Sequence, residues 1–179
     1  RVAFESYALP SDSMILEKKK RNIHYGASGT QTGGRVNFVG VGSSTKGNLG
    51  DEYYSQSCYD LTSYKKCIDK GIFPTFRGMK LSNDDKIRQH ATQQLRSYFR
   101  IDFNQFATNF KIKPKEYFSK EIKYMNEMKK DGLIKFTDKG IEMTEIGRDF
   151  SQNISNVFDK YDPPDKSYND RLATIIKAK

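Results

Sequence analysis

One stretch limits more than any other what this chain can fold into: residues 82–161 carry a helical hydrophobic period with its own start and stop signals. Ser82-Asn83-Asp84-Asp85 has the order of a capping box, in which a hydroxyl and a carboxylate three residues apart each accept the other's main-chain N–H. Ile87, Ala91, Leu95, Tyr98 and Phe99 follow on one face of a four-turn helix. A short helix is expected over Phe103–Phe110. Pro114 suits the first turn of the next, which offers Phe118, Ile122, Met125 and Met128 to a core and stops at Asp131-Gly132. Residues 133–136 and 141–143 read as a hairpin across Asp138-Lys139-Gly140. Thr144 is expected to cap a last helix with the stripe Ile146, Phe150, Ile154, Val157, Phe158 and Tyr161. Three helices, a hairpin and a further helix is the order of a winged-helix module.

Residues 1–81 have another character, rich in Gly, Ser and Tyr. Residues 11–21 read as a short helix, capped by Ser11 or Asp12 and closed by Lys18-Lys19-Lys20-Arg21 against the helix dipole. A polar, Gly-rich stretch over 23–34 leads to a short strand at 36–39. A loop follows, with five glycines between Gly34 and Gly50. Residues 60–70 look helical, with Leu61, Tyr64, Cys67 and Ile68 on one face and Gly71 as the C-terminal cap. Beyond Asp162, Pro163-Pro164 and mixed polar residues mark a loose tail over 162–179.

Charge and cysteine usage exclude several classes. The net charge is +9, but 12 Lys/Arg stand against 7 Asp/Glu up to residue 81 and 19 against 15 beyond it. An excess spread over both halves reads as a solvated surface rather than a nucleic-acid stripe. The candidate recognition helix, Lys113 to Asp131, carries Glu116, Glu121, Glu127 and Asp131, acids that would face phosphates, which argues against DNA binding. Cys58 and Cys67 fit neither a metal-ligand spacing nor a disulfide framework, so a reducing cytoplasm is the expected compartment. No apolar run approaches the roughly 20 residues that span a bilayer, and Leu9-Pro10-Ser11-Asp12 interrupts any signal-peptide core. The first residue is Arg1 rather than Met, so the chain is expected to be part of a longer protein or a processed product.

The most unusual motif is Gly40-Val41-Gly42-Ser43-Ser44-Thr45-Lys46-Gly47-Asn48-Leu49-Gly50. A triphosphate cradle needs Gly-Lys-Ser/Thr before a helix, and the order here is Thr-Lys-Gly. Either a backbone-lined ligand contact or a plain tight loop remains. His24 and His90 lie far apart with no Glu or Cys at ligand spacing, and read as ordinary polar histidines. Asp84 and Asp85 are accounted for by helix capping.

Taken in order, these pieces resemble one family, the oxygen-independent coproporphyrinogen III oxidases. Tyr7-Ala8-Leu9-Pro10 with Asp12 resembles an F-A-L-P-x-D element. Gly40-Val41-Gly42-Ser43-Ser44 and Gly50-Asp51 resemble a G-x-G-V-S-A-I-S-x-I-G-D loop, with Tyr53 or Tyr54 at the tyrosine that follows it. Gln56, Leu61 and Tyr64 take the positions of Y-x-Q-x(4)-L-x-x-Y. Arg77-Gly78, Leu81, Asp84-Asp85, Ile87 and Arg88 match R-G-x-x-L-x-x-D-D-x-I-R, and Phe99-Arg100-Ile101-Asp102 is similar to F-R-L-D. Asp131-Gly132-Leu133, Thr144, Gly147-Arg148, Asn153-Ile154 and Phe158-Asp159-Lys160-Tyr161 complete the series.

The resemblance implies a parent enzyme using a [4Fe–4S] cluster and S-adenosylmethionine to convert two propionates of coproporphyrinogen III to vinyl groups in haem biosynthesis. Its cluster sits in a C-x-x-x-C-x-x-C motif on an N-terminal partial α/β barrel, and that motif is absent here. The implied fold class is α+β and mostly helical. Residues 1–81 form the terminal segment of the barrel and 82–161 a winged-helix-like C-terminal domain. No catalytic or metal-ligating residue is expected, and the chain alone is expected to bind no cofactor and catalyse nothing. Ser44, Thr45 and Lys46 match a loop that gives main-chain contact to a second S-adenosylmethionine. Two departures stand out: Thr45-Lys46-Gly47-Asn48 replaces small and apolar residues, and Gln152 replaces an arginine usual before Asn153-Ile154. They leave room for a paralogue acting on haem or another tetrapyrrole, or for a haem-carrying module. A winged-helix nucleic-acid binder is the alternative if the resemblance is accidental. Expected partners are a tetrapyrrole, the missing barrel and, through exposed strand edges, a second copy.

Overall fold

A computed structural model describes residues 1–26, 29–33, 37–50 and 52–161. The helical period of the second region is realised most directly. Helix α3 runs over Asn83–Tyr98, and the helices before it in the chain are α1 (Ser13–Lys19) and α2 (Leu61–Asp69). The expected capping box is complete: Asp85 N–H donates to Ser82 Oγ at 3.2 Å and Ser82 N–H to Asp85 Oδ2 at 2.8 Å. Ile87, Ala91 and Leu95 are buried, and Phe99 closes the helix in the left-handed region at φ 58°. Tyr98 faces elsewhere: its hydroxyl donates to Ile23 O at 2.8 Å and accepts from Ile23 N–H at 3.1 Å.

After α3 come β6 (Arg100–Asp102), α4 (Phe103–Phe110), α5 (Pro114–Tyr117) and α6 (Ser119–Lys130). The single helix expected after Pro114 is thus two, broken at Phe118, which is 1% exposed. Its ring packs edge-on against Phe106, Tyr117 and Phe158, with centroids 5.7, 5.1 and 5.0 Å away. Strands β7 (Ile134–Thr137) and β8 (Gly140–Met143) form the expected hairpin, and β6 adds to it antiparallel in the order β6-β8-β7. Gly140 has φ 149°, and a Cβ there would overlap the Ile101 carbonyl of the neighbouring strand.

The last expected helix is shorter than its stripe suggests. Ile146–Arg148 is a single 3-10 turn, and α7 covers Ser151–Asn156. Thr144 does cap the turn, accepting Gly147 N–H at 3.0 Å, but Ile146 and Phe150 stay exposed at 65% and 46%. The cause is Gly147, packed so closely on the Leu133 carbonyl that a Cβ would collide with it.

In the first region, α1 is capped by Asp12 and α2 by Asp60, and Gly71 ends α2 at φ 67° as expected. The end has both Schellman bonds, Ile72 N–H to Cys67 O at 3.0 Å and Gly71 N–H to Ile68 O at 2.9 Å. The apolar face of α2 is only partly covered: Tyr64 Oη accepts Gly42 N–H at 3.2 Å, but Leu61 and Ile68 are 55% and 50% exposed. The expected strand at 36–39 begins at a residue outside the described ones, and Phe38 makes only an isolated bridge to Asn48. Five strands are present that the pattern did not announce. β1 (Ile23–Gly26) and β2 (Gly29–Thr32) form a hairpin; β3 (Lys46–Leu49), β4 (Tyr53–Ser57) and β5 (Thr75–Lys80) form an antiparallel sheet in that order. The segment expected to end an α/β barrel is thus two small antiparallel sheets, neither closed. The expected tail over 162–179 lies outside the described residues.

The main core gathers Leu95, Ile101, Phe106, Phe118, Met125, Ile141, Ile154 and Phe158. Phe4 N–H donates to Arg96 O at 2.8 Å and Tyr25 N–H to Ser97 Oγ at 2.9 Å, fastening the first segment and β1 to α3.

Candidate functional site

The polar face of α3 is left over once its apolar face has entered the core, and it forms the floor of a cleft of about 620 Å³. Gln89, Thr92, Gln93 and Arg96 line this floor. One wall comes from the antiparallel sheet, with Lys46 and Asn48 on β3, Tyr54 on β4 and Met79 on β5. The opposite wall is Gln152, Ser155, Asn156 and Phe158 to Tyr161. Phe4, Glu5, His24 and Tyr25 close one end.

At the N-terminal end of α3 the charges are tightly paired. Lys160 Nζ lies 2.6 Å from Asp85 Oδ1 and 3.0 Å from Asp84 Oδ2. Arg88 reaches Asp84 at 3.0 Å and Glu121 at 2.7 Å, and Tyr117 donates to Asp84 at 2.5 Å. Burial alone would raise the Asp85 carboxyl, but hydrogen bonds from Lys160, Ser82 and Tyr161 outweigh it and hold the group below the usual carboxylate range. Burial works with the Asp84 carboxylate on Tyr117, whose phenol is pushed up to about 12. The two aspartates therefore do more than cap a helix: they tie α3 to residues 158–161.

Arg96 is held differently. Its Nε donates to Ser155 Oγ at 2.8 Å and its Nη2 to Asn156 Oδ1 at 3.0 Å, both neutral partners. Burial lowers its pKa, and the charges of Tyr25, Asp159 and Glu5 only partly offset this. Arg88 shifts the other way: burial opposes its charge, but Glu121 and Asp84 prevail.

The structure places Ser44, Thr45 and Lys46 at the entry to β3. Ser44 has φ 55°; its N–H donates to Cys58 O at 2.7 Å and its carbonyl accepts Gln56 Nε2 at 3.2 Å. Thr45 O accepts Ser57 N–H at 2.9 Å. Much of this loop's main chain is thus engaged inside the protein, and of the three residues Lys46 alone lines the cleft. The loop hangs on Gln56, 4% exposed, whose Oε1 accepts from Arg77 at 2.9 Å and from Tyr59 at 3.1 Å. Sequence reasoning gave Gln56 only a motif place and passed over Arg96. A partly buried arginine on a polar helix face is indistinguishable in sequence from a solvated one. Among the described residues no group of three or more His, Cys, Asp or Glu is placed to hold a metal. No helix among them is long and apolar enough to cross a membrane.

No family model matches the chain. It is 31% identical over 162 residues to an oxygen-independent coproporphyrinogen III oxidase of Pseudomonas aeruginosa, which covers 90% of this chain and 35% of that protein. The corresponding protein of Helicobacter pylori is 29% identical over 160 residues, 89% of this chain and 35% of its own length. Among solved structures, coproporphyrinogen III oxidase from Escherichia coli, a radical SAM enzyme, superposes with a TM-score of 0.82 at 29% identity. That match covers 89% of this chain and 37% of the other. The chain thus spans about 35% of the length of the curated relatives it matches.

Proposed function

We propose that this chain, a homologue of the C-terminal part of the oxygen-independent coproporphyrinogen III oxidases, forms the substrate-side portion of such an enzyme. In this reading it walls the cleft for a tetrapyrrole whose propionates are oxidatively decarboxylated to vinyl groups in haem biosynthesis. The cleft carries the reading: an aromatic body of Phe4, Tyr25, Phe38 and Tyr54 with Lys46 and Arg96 in its lining suits a flat macrocycle bearing carboxylate arms. The helical part covers the substrate, and the order α3-β6-α4-α5-α6-β7-β8 supports a winged-helix-like description of it. Cytoplasmic placement follows from the same reading.

Cluster chemistry has to come from elsewhere in the polypeptide. An iron–sulfur cluster is held by closely spaced thiolates, and this chain has two cysteines, Cys58 and Cys67, which do not fit it. Bound there, the cluster and S-adenosylmethionine would supply the radical. This chain's residues bind and orient the substrate and exclude water from it. Ser44, Thr45 and Lys46 remain the proposed contact to a second S-adenosylmethionine, with Lys46 offering its ammonium group from the cleft wall.

The partner that completes the fold is the barrel. Leu61, Ile68, Ile72, Phe73 and Phe76 are all at least half exposed, and every residue of β5 is exposed. A face this apolar marks an interaction surface, and an edge strand can take a further strand, from the barrel or from a second copy. A nucleic-acid role has less support: Lys113 pairs with Glu116 at 3.1 Å and Lys130 with Glu127 at 2.8 Å at the ends of α5 and α6.

Mixing this chain with the separately produced N-terminal part tests the proposal. Porphyrinogen turnover should appear, and Ile68→Lys should suppress it while leaving the chain's own melting unchanged. No turnover in the unsubstituted mixture counts against the assignment.

A further inference from the structure

We infer that Arg96 anchors a carboxylate arm of the ligand in this cleft. The identity of the ligand rests on the tetrapyrrole reading above; the anion subsite itself rests on the geometry of Arg96.

A guanidinium has five N–H donors and stays charged in proteins. Ser155 and Asn156 accept two, leaving three without an acceptor among the described residues. Among the described residues no carboxylate lies within ion-pair distance of Arg96, whereas Arg88, about two turns earlier, has Asp84 and Glu121. Two neutral acceptors offset only part of the hydration that a partly buried cation loses.

The bridge has another consequence. Ser155 is fully buried and its hydroxyl also donates to Gln152 O at 2.9 Å, so the acceptor that fixes the guanidinium is itself fixed. The fork is oriented before the ligand arrives, which favours bidentate capture of a carboxylate. On the same floor Gln89 Oε1 is buried with no partner among the described residues, an acceptor for a ligand N–H or O–H. Arg88 is the other guanidinium in the lining and is ion-paired, so among the described residues of this cleft Arg96 is the one without a carboxylate partner. Burial lowers the pKa of Arg96, and the charges of Tyr25, Asp159 and Glu5, none of them an ion-pair partner among the described residues, offset this only in part.

Fluorescence titration with coproporphyrin III, its tetramethyl ester and adipate separates the outcomes. Arg96→Gln should weaken coproporphyrin binding about tenfold or more, the worth of a charge-assisted bond, and leave ester binding unchanged. Arg96→Lys should fall between. Because Arg96→Gln also cuts the bridge to α7, Thr92→Glu provides a second test: it sets a carboxylate one turn away with Arg96 intact, and should weaken coproporphyrin binding similarly. If wild type binds coproporphyrin and both variants bind it equally well, the subsite is wrong while the tetrapyrrole reading stands. If wild type ignores porphyrins but binds adipate through Arg96, the subsite stands and the tetrapyrrole reading falls. Binding of none of the three probes overturns both.

Discussion

Asp85→Asn is the sharpest test of the ion-pair cluster at the start of α3. The carboxylate accepts from Ser82 N–H and Oγ on one oxygen, and from Lys160 and Tyr161 on the other. An amide keeps one acceptor. Turned toward Ser82 it preserves the capping box and sets an NH₂ against the Lys160 ammonium. A charge-assisted bond is worth about 1.5–3 kcal/mol. Lys160 keeps Asp84 at 3.0 Å, and its side chain is 30% exposed, so solvent screens part of the loss. A net cost of about 2 kcal/mol is expected, or a fall in Tm of roughly 4–8 °C for a domain of this size. The sign with pH is fixed: the folded carboxyl is held below its ordinary value, so its contribution is full above about pH 4 and fades as acid titrates the folded state. Melting curves of both proteins should therefore lie well apart at pH 7 and draw together only as the pH falls below about 4 toward the folded carboxyl's own low pKa. A gap under one degree at neutral pH, or one that fails to narrow in acid, refutes the account. Combining the change with Lys160→Met should be less than additive by about 1 kcal/mol.

Phe118→Ala empties a site ringed by three aromatic side chains and should cost about 3–5 kcal/mol in urea unfolding; a loss under 1 kcal/mol would mean the core does not close there. Gly147→Ala forces a methyl into the Leu133 carbonyl, and should destabilise the chain more than Gly71→Ala at an open turn. Equal effects would place the 3-10 turn elsewhere. The phenolate absorbance lost in Tyr117→Phe should belong to a group titrating near pH 12, and the stability it reports should be present below pH 10 and lost as the pH rises toward that value; ionisation near pH 10 would remove Asp84 from its surroundings.

What sequence could disclose depended on whether an element buries a face. Helix α3 was legible because Ile87, Ala91 and Leu95 sit on one side and the Ser82/Asp85 pair marks its start. The β7-β8 hairpin was legible for the same reason, since Ile134, Ile141 and Met143 are buried. Strand β5 buries nothing and β3 buries only Gly47, so neither shows alternation. The α2 stripe was correct as a helix signal and silent about exposure, because helical spacing shows which residues share a face and not what covers it. The break at Phe118 and the turn at Gly147 arise from tertiary contact. The cleft was invisible for a similar reason: its two walls are over a hundred residues apart in sequence, from Lys46 to Gln152, and come together only in the tertiary fold around α3.

The way Lys160 and Tyr161 grip Asp84 and Asp85 has a consequence for the cleft wall. Those four residues form a latch at one end of the cleft, and the segment they secure is also its wall. Charge pairing rather than apolar packing fastens the wall at this end of the cleft. Salt and acid therefore weaken this fastening, while the packed aromatic interior stays indifferent to both.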